Sequence, residues 1–341
     1  MKKTFNIEYK DIISVENLLK AWEEFLLGKK NKEDVCEFSK NLMENILNLH
    51  NDLANKSYKH GEYVAFNISD PKPRNIHKAM VRDRLLHHAV YRILYPFFDK
   101  TFFSESYSCR LNKGTHRAVN KFRSYAYKES KNNSRTLWIL KCDIRKFFAS
   151  IDQTTLIQIL EKYISDRDVI WLISGIICSF YSTQVGVGLP LGNLTSQLLV
   201  NIYMNSFDQW MKHIMKTHYY IRYADDFLIL NTDKDFLLEL IPKIADFLEE
   251  NLKLQLHPNK LFIKTFASGL DFLGWINFPG HRVLRTSTKR RVLKALCENG
   301  NQNSLMSYSG LLKHGNQFLL KNKINEKIKE LEEKEERINK I

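Results

Sequence analysis

The stretch YYIRYADDFLIL, residues 219–230, carries an adjacent pair of carboxylates inside an otherwise apolar run. The β-forming residues on either side of Asp225 and Asp226 predict two buried strands joined by a short turn. Two negative charges at the tip of an apolar hairpin repel each other and are unfavourable there. A bound divalent cation would remove this penalty, so the stretch predicts a hairpin that binds a metal ion.

The charge composition of the chain favours a polyanionic partner. The chain has 341 residues, enough for two or three subdomains. It contains 52 Lys and Arg against 38 Asp and Glu, which gives a formal net charge of +14. Nucleic acid is therefore the first expectation for a partner and an anionic membrane surface the second.

Neither a membrane span nor a secretory leader is expected. No apolar run approaches the roughly 20 residues that a transmembrane helix needs, and no apolar segment follows the lysines near the N-terminus. The five cysteines are scattered without C-x-x-C spacing, which is typical of reduced thiols. These features predict a cytoplasmic protein with no membrane partner.

The interpretation of a second acidic position, Asp143, depends on the acidic hairpin. Asp143 follows a predicted strand at 136–142, where a lone Asp is usually a helix cap. Between the two acidic positions, the loop and helix at 186–205 suit close approach to a ligand, or form an ordinary loop–helix junction. If Asp143 meets Asp225 and Asp226, these carboxylates would hold two Mg²⁺ ions about 3.5–4 Å apart. Such a pair activates a hydroxyl and stabilises a leaving pyrophosphate.

Three basic segments are candidates for contact with phosphates. The turn SDPKPRN at 69–75 presents its cations either to solvent or to a ligand. In SYSCRLNKGTHRA at 106–118, glycine beside basic groups lets backbone N–H groups approach phosphates, although a plain helix start looks similar. The third segment is 281–291. The candidate side chains are Lys72, Arg74, Arg110, Lys113, Arg285, Lys289 and Arg290.

Apolar periodicity predicts helices along most of the remaining chain. It predicts one amphipathic helix over 34–53 and another over 80–98. Adjacent His87 and His88 cannot share one helix face. They are therefore predicted to lie at the surface or to face RNA, and are not predicted to bind a metal ion.

Four motifs, taken together, resemble those of reverse transcriptases across nearly the whole chain. YADD at 223–226 resembles the catalytic hairpin of that family, and LKCDIRKFF at 140–148 resembles its first catalytic-aspartate motif. GLPLGNLTSQ at 188–197 resembles the motif that contacts template and nucleotide, and FLGW at 272–275 resembles the primer grip. YADD alone is a weak match, whereas the set in this order and spacing is highly specific.

The resemblance implies an α+β fold of the right-hand polymerase type. Its parts would be fingers, a palm of antiparallel sheet plus helices, and a small helical thumb. The implied boundaries are an N-terminal helical extension at 1–55, fingers at 56–135 (with 160–190 returning near fingers and palm), a palm with the catalytic site at 136–280, and a thumb with a helical tail at 281–341.

The resemblance also implies roles at the metal site. Asp143 and Asp225 would be the main ligands of two Mg²⁺ ions, and the Ile144 carbonyl would be a further ligand. Asp226 would contribute more weakly by tuning the charge. Lys260 would neutralise or protonate the departing pyrophosphate, or else serve a structural role.

Further roles are implied at the nucleotide. Phe148 matches the position of the steric gate, whose ring excludes a ribose 2′-hydroxyl, although a core phenylalanine is equally compatible with its residue type. Lys72 and Arg74 would clamp the triphosphate of the incoming dNTP. Gly192 and Gln197 would line the pocket for nucleotide and template.

Within the family, LPLGNLTSQLLVNIYMNSFDQW resembles the prokaryotic diversity-generating retroelement enzymes more than the retroviral, retron or group II intron enzymes. Leu191 stands where many reverse transcriptases carry a glutamine. Its aliphatic side chain cannot make the hydrogen bonds of glutamine, so nucleotide discrimination must rest more on shape. The resemblance implies an error-prone enzyme that misincorporates opposite template adenines.

Three functions follow as hypotheses. The first is mutagenic cDNA synthesis in a retroelement, with template RNA, an RNA/DNA hybrid, dNTPs and a small basic oligomeric accessory protein as partners. The second is a phage-defence reverse transcriptase that makes repetitive or untemplated DNA. The third is a catalytically idle RNA-binding protein, which the intact acidic positions argue against.

Overall fold

The computed structural model describes residues 5–6, 8–69, 73–297 and 302–338. The chain divides into two compact units, each made of three segments. Unit 1 comprises Met1–Leu111, Cys142–Phe227 and Leu240–Leu261, and unit 2 comprises Asn112–Lys141, Leu228–Glu239 and Phe262–Ile341. The boundaries of fingers, palm and thumb remain a prediction.

The helices occupy most of the described residues. Those before the acidic hairpin are α1 (Tyr9–Ile13), α2 (Val15–Phe25), α3 (Glu33–Lys40), α4 (Leu42–Ala54), α5 (Val81–Asp99), α6 (Thr115–Glu129), α7 (Gln153–Glu161), α8 (Arg167–Cys178) and α9 (Leu194–His213). Those after it are α10 (Lys234–Leu252), α11 (Thr286–Cys297), α12 (Gln302–Leu312) and α13 (Phe318–Ile338).

The strands form three sheets in the described part of the chain. They are β1 (Tyr63–Ile68), β2 (Arg74–Ala79), β3 (Trp138–Asp143), β4 (Tyr220–Tyr223), β5 (Asp226–Asn231), β6 (Phe262–Thr265), β7 (Leu270–Phe272), β8 (Trp275–Asn277) and β9 (Arg282–Leu284). A hairpin pairs β1 with β2, a four-stranded sheet has the order β4-β5-β3-β6, and a three-stranded sheet has the order β7-β8-β9.

The local sequence explains how α2 forms and where it packs. The Ser14 hydroxyl accepts a hydrogen bond from the Asn17 N–H and so caps the first turn. Leu18, Trp22 and Phe25 recur at helical spacing and are buried. They face α5, which also packs against α9, so α5 lies in the helical core of unit 1.

The prediction of one helix over 34–53 is wrong. The structure has two helices, α3 and α4, and the break falls at Asn41, where φ is −120° and ψ is 42°. Asn is a weak helix former whose side chain competes for backbone groups. The Asn45 side chain donates to the Phe38 carbonyl at 2.9 Å across this break.

The prediction that His87 faces the surface or RNA is also wrong. His87 is 1% exposed, and its Nε2 lies 3.1 Å from Nε2 of His60. The buried carboxylate of Asp83 is close, with Oδ2 3.9 Å from His60 Nδ1. Burial lowers the pKa of His87 to about 3, which keeps this imidazole neutral. Because His87 and His88 lie on different faces of α5, His87 can be buried in the core without His88.

No helix within the described ranges is long and apolar enough to cross a bilayer. All five cysteines lie among the described residues and are free thiols.

The predicted acidic hairpin is confirmed. β4 and β5 flank a turn in which Ala224 has a φ of +56°. Behind the turn, the guanidinium of Arg222 is fully buried. Its Nε and Nη2 donate to the two oxygens of Asp208 on α9 at 2.7 and 2.6 Å, and its Nη1 donates to the Ala224 carbonyl at 3.0 Å. Arg222 therefore holds the peptide that precedes Asp225.

Two more groups complete the environment of this ion pair. The Tyr220 hydroxyl donates to Asp208 Oδ1 at 2.7 Å, and Arg222 Nη2 donates to the Ser106 hydroxyl at 3.0 Å. Both ions thus keep hydrogen-bond partners in the interior, which is the condition for burying a charge at acceptable cost.

Arg222→Met should destabilise the protein by about 3–5 kcal/mol, because it leaves the charge of Asp208 buried without its partner. The double variant Arg222→Met/Asp208→Leu should be less destabilised than Arg222→Met alone, since no lone charge remains. Urea unfolding followed by tryptophan fluorescence gives these free energies of unfolding.

Arg92→Met is the matched control, because Arg92 pairs with Glu24 at a partly exposed site. Its cost should be about 1 kcal/mol or less. Additive losses in the double variant would contradict the assignment of Arg222 and Asp208 as one coupled pair.

Candidate active site

The two predicted metal-binding aspartates meet in unit 1. Asp143 is the last residue of β3, and Asp225 lies in the turn between β4 and β5. The N–H of Ile144 donates to the carbonyl of Asp225 at 3.2 Å. Side chains that are 82 positions apart (225 − 143) are thereby held at one place.

The carboxylates of Asp143 and Asp225 are crowded together, and this determines the electrostatics of the candidate site. Burial raises the pKa of Asp225, and the nearby negative charge of Asp143 raises it further, while Lys260 and Arg74 act in the opposite direction. The pKa shift thus reports two carboxylates close enough to repel each other and two cations close enough to attract them. All four side chains belong to unit 1.

Lys260 forms the direct contact among these groups. Its Nζ lies 2.9 Å from Asp143 Oδ1, and its side chain is 47% exposed against 14% for Asp143. The segment that carries it is fixed to β3, because the His257 N–H donates to the Asp143 carbonyl at 2.7 Å. Lys260 is therefore an accessible cation at the mouth of the acidic cluster.

The donor set fits a hard divalent cation. Ile144 bridges to Leu256 in antiparallel register. The flanking hydrogen bonds of this bridge use the Asp143 carbonyl and the Arg145 N–H, so the bridge does not engage the Ile144 carbonyl. Within the described residues, no group of three or more His, Cys, Asp or Glu side chains could hold a metal ion. Two carboxylates and a backbone carbonyl would thus leave coordination positions for water and phosphate oxygens, as Mg²⁺ prefers.

Asp226 has a different environment from Asp225. It is the first residue of β5, and its negative charge adds to burial in raising the pKa of the Cys142 thiol. The Asp226 carboxylate therefore lies near a fully buried sulfur.

The loop that contains Leu191 is attached to β2. The His77 N–H donates to the Leu191 carbonyl at 3.0 Å, and the Asn193 side chain donates to the His77 carbonyl at 2.9 Å. Gly192 has a φ of +106°, and a Cβ there would lie 2.8 Å from Ile76 Cγ2, so only glycine fits. Asn193 is the N-cap residue of α9, but its side chain makes no capping hydrogen bond.

The two phenylalanines after Asp143 have different surroundings. Phe147 is 3% exposed and fills the core, whereas Phe148 is only partly buried. The Phe148 carbonyl accepts a hydrogen bond from the Leu189 N–H at 2.8 Å, which ties this segment to the loop before α9. Gln197, in the first turn of α9, is also partly buried.

The predicted basic contacts divide into three groups. Arg110 is used inside the protein: its side chain is 5% exposed and pairs with Asp99, and it donates to the Phe103 carbonyl at 2.7 Å. A buried guanidinium with these partners cannot serve as the predicted contact to nucleic acid. Lys72 lies outside the described residues. Apart from Arg74, which lies in unit 1 near Asp225, the remaining candidates belong to unit 2 and are Lys113, Arg285, Lys289 and Arg290.

Those unit 2 candidates differ in exposure. Lys289 and Arg290 are exposed on α11, and Lys113 is partly buried. Arg285 is partly buried and pairs with Asp271. Only Lys289 and Arg290 therefore present cations that are largely accessible to solvent.

The Arg222–Asp208 pair was missed by sequence reasoning. The available signal was a charged residue inside an apolar strand, since arginine is almost never fully buried unless it is paired. Asp208 gave no such signal, because a carboxylate on a helix usually faces solvent.

Comparison with known proteins identifies the family. The family described as "Reverse transcriptase (RNA-dependent DNA polymerase)" matches residues 67–277, more than half of the chain. The chain is 24% identical to Protein YkfC of Escherichia coli (strain K12) over 284 residues, 72% of each chain. It is 28% identical to Group II intron-encoded protein LtrA of Lactococcus lactis subsp. cremoris over 134 residues, 38% of this chain and 21% of that protein.

A further relative is the Putative COX1/OXI3 intron 1 protein of Saccharomyces cerevisiae, 28% identical over 172 residues, 48% of this chain and 20% of that protein. The match thus spans about a fifth of each of the two intron-related proteins. Among solved structures, apo telomerase from Candida tropicalis, truncated from its C-terminal domain, matches with a TM-score of 0.50 at 12% identity. That match covers 67% of this chain and 55% of the telomerase chain.

These findings confirm the predicted α+β fold of the right-hand polymerase type. In the structure, the acidic hairpin and β3 belong to one four-stranded sheet. The chain belongs to the reverse transcriptase family, the RNA-directed DNA polymerases, which work on template RNA and use divalent metal ions.

Proposed function

We propose that this chain extends a DNA strand on an RNA template by nucleotidyl transfer at Asp143 and Asp225. The observation that carries the proposal is the convergence of these two carboxylates beside Lys260 and Arg74. A cluster of crowded carboxylates faced by accessible cations is suited to hold metal ions and a triphosphate together.

Asp143, Asp225 and the Ile144 carbonyl would hold the metal ions. When bound, two Mg²⁺ ions would supply activation of the primer 3′-hydroxyl and neutralisation of charge on the leaving pyrophosphate. Asp226 would act through its charge, since it lies near Cys142 and its negative charge adds to the local field.

Lys260 and Arg74 would bind the triphosphate. Lys260 is paired with Asp143 but is accessible, so its ammonium can exchange that carboxylate for a phosphate oxygen. Arg74 is exposed at the start of β2, and its planar guanidinium suits two parallel hydrogen bonds to phosphate. Lys72 would add to this clamp from the adjoining turn.

Phe148 would select against ribonucleotides. Phe147 already fills the core position of this segment, which leaves Phe148 accessible for contact with a sugar. Leu191, Gly192 and Gln197 would line the pocket for the base and template. Lys113, Arg285, Lys289 and Arg290 would contact nucleic acid from unit 2, and the exposure of Lys289 and Arg290 supports their part of this assignment.

We further propose that the product is mutagenic cDNA made for a diversity-generating retroelement, with a small basic oligomeric accessory protein as partner. The support is the resemblance of the segment at 189–210 and the aliphatic residue at Leu191. Sequencing the cDNA made by the purified chain on a defined RNA tests this. Substitutions concentrated opposite adenine are expected. Repetitive or untemplated product would assign phage defence instead, and absence of product would assign an idle RNA-binding protein.

Asp225→Ala should reduce Mg²⁺-dependent dNTP incorporation on a primed RNA by on the order of 10³-fold or more, because it removes a ligand from the charged site. Single-nucleotide extension with purified protein measures this rate. Asp246→Ala, at an exposed position on α10, is the control and should extend primers normally. Wild-type extension by Asp225→Ala would exclude the proposed metal site.

Asp225→Asn should stabilise the metal-free protein at neutral and mildly alkaline pH. The folded state raises the pKa of Asp225, so its ionisation costs stability as pH rises through that raised pKa. Asparagine stays neutral and avoids the cost. The gain in melting temperature should shrink as pH falls toward the unfolded pKa of about 3.9. Thermal melts without Mg²⁺ across this pH range measure it, and an equal gain at every pH would contradict ionisation of Asp225 as the cause.

Leu191→Gln should lower misincorporation opposite template adenine by about fivefold, the equivalent of one hydrogen bond worth about 1 kcal/mol. Deep sequencing of cDNA measures the error spectrum. Leu191→Met is the control, since it conserves apolar volume and adds no amide. If the Gln and Met variants give the same spectrum as the wild type, residue 191 does not set fidelity.

A further inference from the structure

A continuous depression on unit 2 lies beside α6. One cavity of about 570 Å³ is lined by Arg123 and Tyr127 of α6 together with Phe266 and Pro279. A second cavity of about 340 Å³ is lined by Arg135 and shares Phe266 and Pro279 with the first. The two cavities together are called the α6 groove. It contains no residue of the candidate active site, and each of its lining residues belongs to unit 2.

The α6 groove is bordered by a segment whose charge is strongly one-sided. Residues 113–135 contain seven Lys and Arg and one acidic residue, Glu129. The Glu129 carboxylate accepts a hydrogen bond from the Thr232 N–H at 3.1 Å. One acidic residue against seven cations leaves the segment with a strong net positive charge.

Several cations of this segment are accessible. Arg123, Lys128, Lys131 and Arg135 are exposed, and none of them forms an ion pair with another residue that the structure describes. Burial lowers the pKa of Arg282, and the positive charge of Arg123 lowers it further; Arg282 is a further cation next to the groove, since its Nη1 donates to the lining residue Asn120 at 2.9 Å. Crowded cations without acidic partners favour binding of an anion.

An aromatic ring lies among these cations. Tyr127 is 50% exposed at one turn of helix from Arg123. Phe266, which is buried, adds an apolar ring to the lining of the same cavity. Exposed rings on which bases stack, interleaved with Lys and Arg that bind phosphates, are how proteins bind single-stranded nucleic acid.

We propose that the α6 groove binds one or two nucleotides of single-stranded nucleic acid, in addition to the substrates of the polymerase site. A base would stack on Tyr127, and phosphates would bind Arg123 and Arg135. The cavities are of the size that accepts small organic groups, so they suit an unpaired base better than the outside of a duplex. A concave wall with an aromatic ring also fits a base better than it fits a membrane surface or an acidic helix.

The same chemistry could come from template RNA or from newly made DNA. Both present unpaired bases and phosphates at the spacing of a single strand. The experiment therefore compares a fluorescent U12 RNA with a fluorescent T12 DNA. Tighter binding of RNA would assign the template as the natural ligand, and tighter binding of DNA would assign the product, with the groove as the binding site in either case.

The test uses the full chain without Mg²⁺, with excess unlabelled RNA–DNA primer duplex to occupy the polymerase site. Fluorescence anisotropy gives the affinity for each probe as a function of salt. Tyr127→Ala should weaken binding by about 5–100-fold, as expected for loss of one stacked base. Tyr127→Phe should bind like the wild type because it retains the ring.

Arg123→Ala/Arg135→Ala should reduce the salt dependence of binding by about 1.4 in the slope of log K against log salt, for two lost phosphate contacts on a single strand. The control Lys313→Ala/Lys323→Ala removes the same charge from exposed positions of unit 2 outside the groove. It should leave both affinity and slope close to those of the wild type. Circular dichroism melts establish that each variant is folded.

Three outcomes would overturn the proposal. The first is wild-type affinity in Tyr127→Ala. The second is an equal loss in the lysine control, which would indicate attraction by net charge alone. The third is loss of single-nucleotide extension on a minimal primer–template in folded Tyr127→Ala, which would make the groove part of the polymerase site. Normal extension with weakened binding supports the proposal, and this separates its failure from failure of the polymerase assignment.

Discussion

The buried ion pair between Arg222 and Asp208 is the constraint on which the acidic hairpin depends. A fully buried guanidinium is costly unless its donors are satisfied, and these donors bond to Asp208, Ser106 and the Ala224 carbonyl. The pair links β4 to α9, and its third bond fixes the turn peptide where φ is positive. The position of Asp225 is thus set by a buried contact behind the turn. That contact does not involve the charged groups of the candidate site.

The candidate site is assembled chiefly by backbone hydrogen bonds between distant segments. Ile144 bonds to Asp225, and His257 bonds to Asp143, so the two carboxylates and Lys260 are brought together by groups that every residue type possesses. The carboxylates repel each other, as the raised pKa of Asp225 reports. The rest of the fold must supply the free energy that holds them together, and the repulsion is the property that makes the site attractive to cations.

The loop that contains Leu191 is held in place without the side chain of residue 191. The loop is attached through the Leu191 carbonyl and the Asn193 side chain, and Gly192 fits closely against Ile76. None of these attachments uses the side chain of residue 191. A change between leucine and glutamine there would therefore leave the loop in place, so this position is free to alter nucleotide selection without disturbing the fold.

The sequence by itself determined the local features of this protein. The acidic hairpin, the strand that ends on Asp143 and the loop–helix junction all follow from short-range patterns of apolar, acidic and glycine residues, and their order identified the family. Tertiary structure alone decided which charges are accessible. Arg110 and His87 look like surface groups in sequence, yet both are buried: Arg110 pairs with Asp99, and His87 lies 3.1 Å from His60 through their Nε2 atoms. The break at Asn41 and the use of Asn193 to bind β2 likewise depend on neighbours that a periodic pattern does not contain. A polar group can be buried only where another group forms hydrogen bonds with it, and the sequence around one residue does not identify that second group.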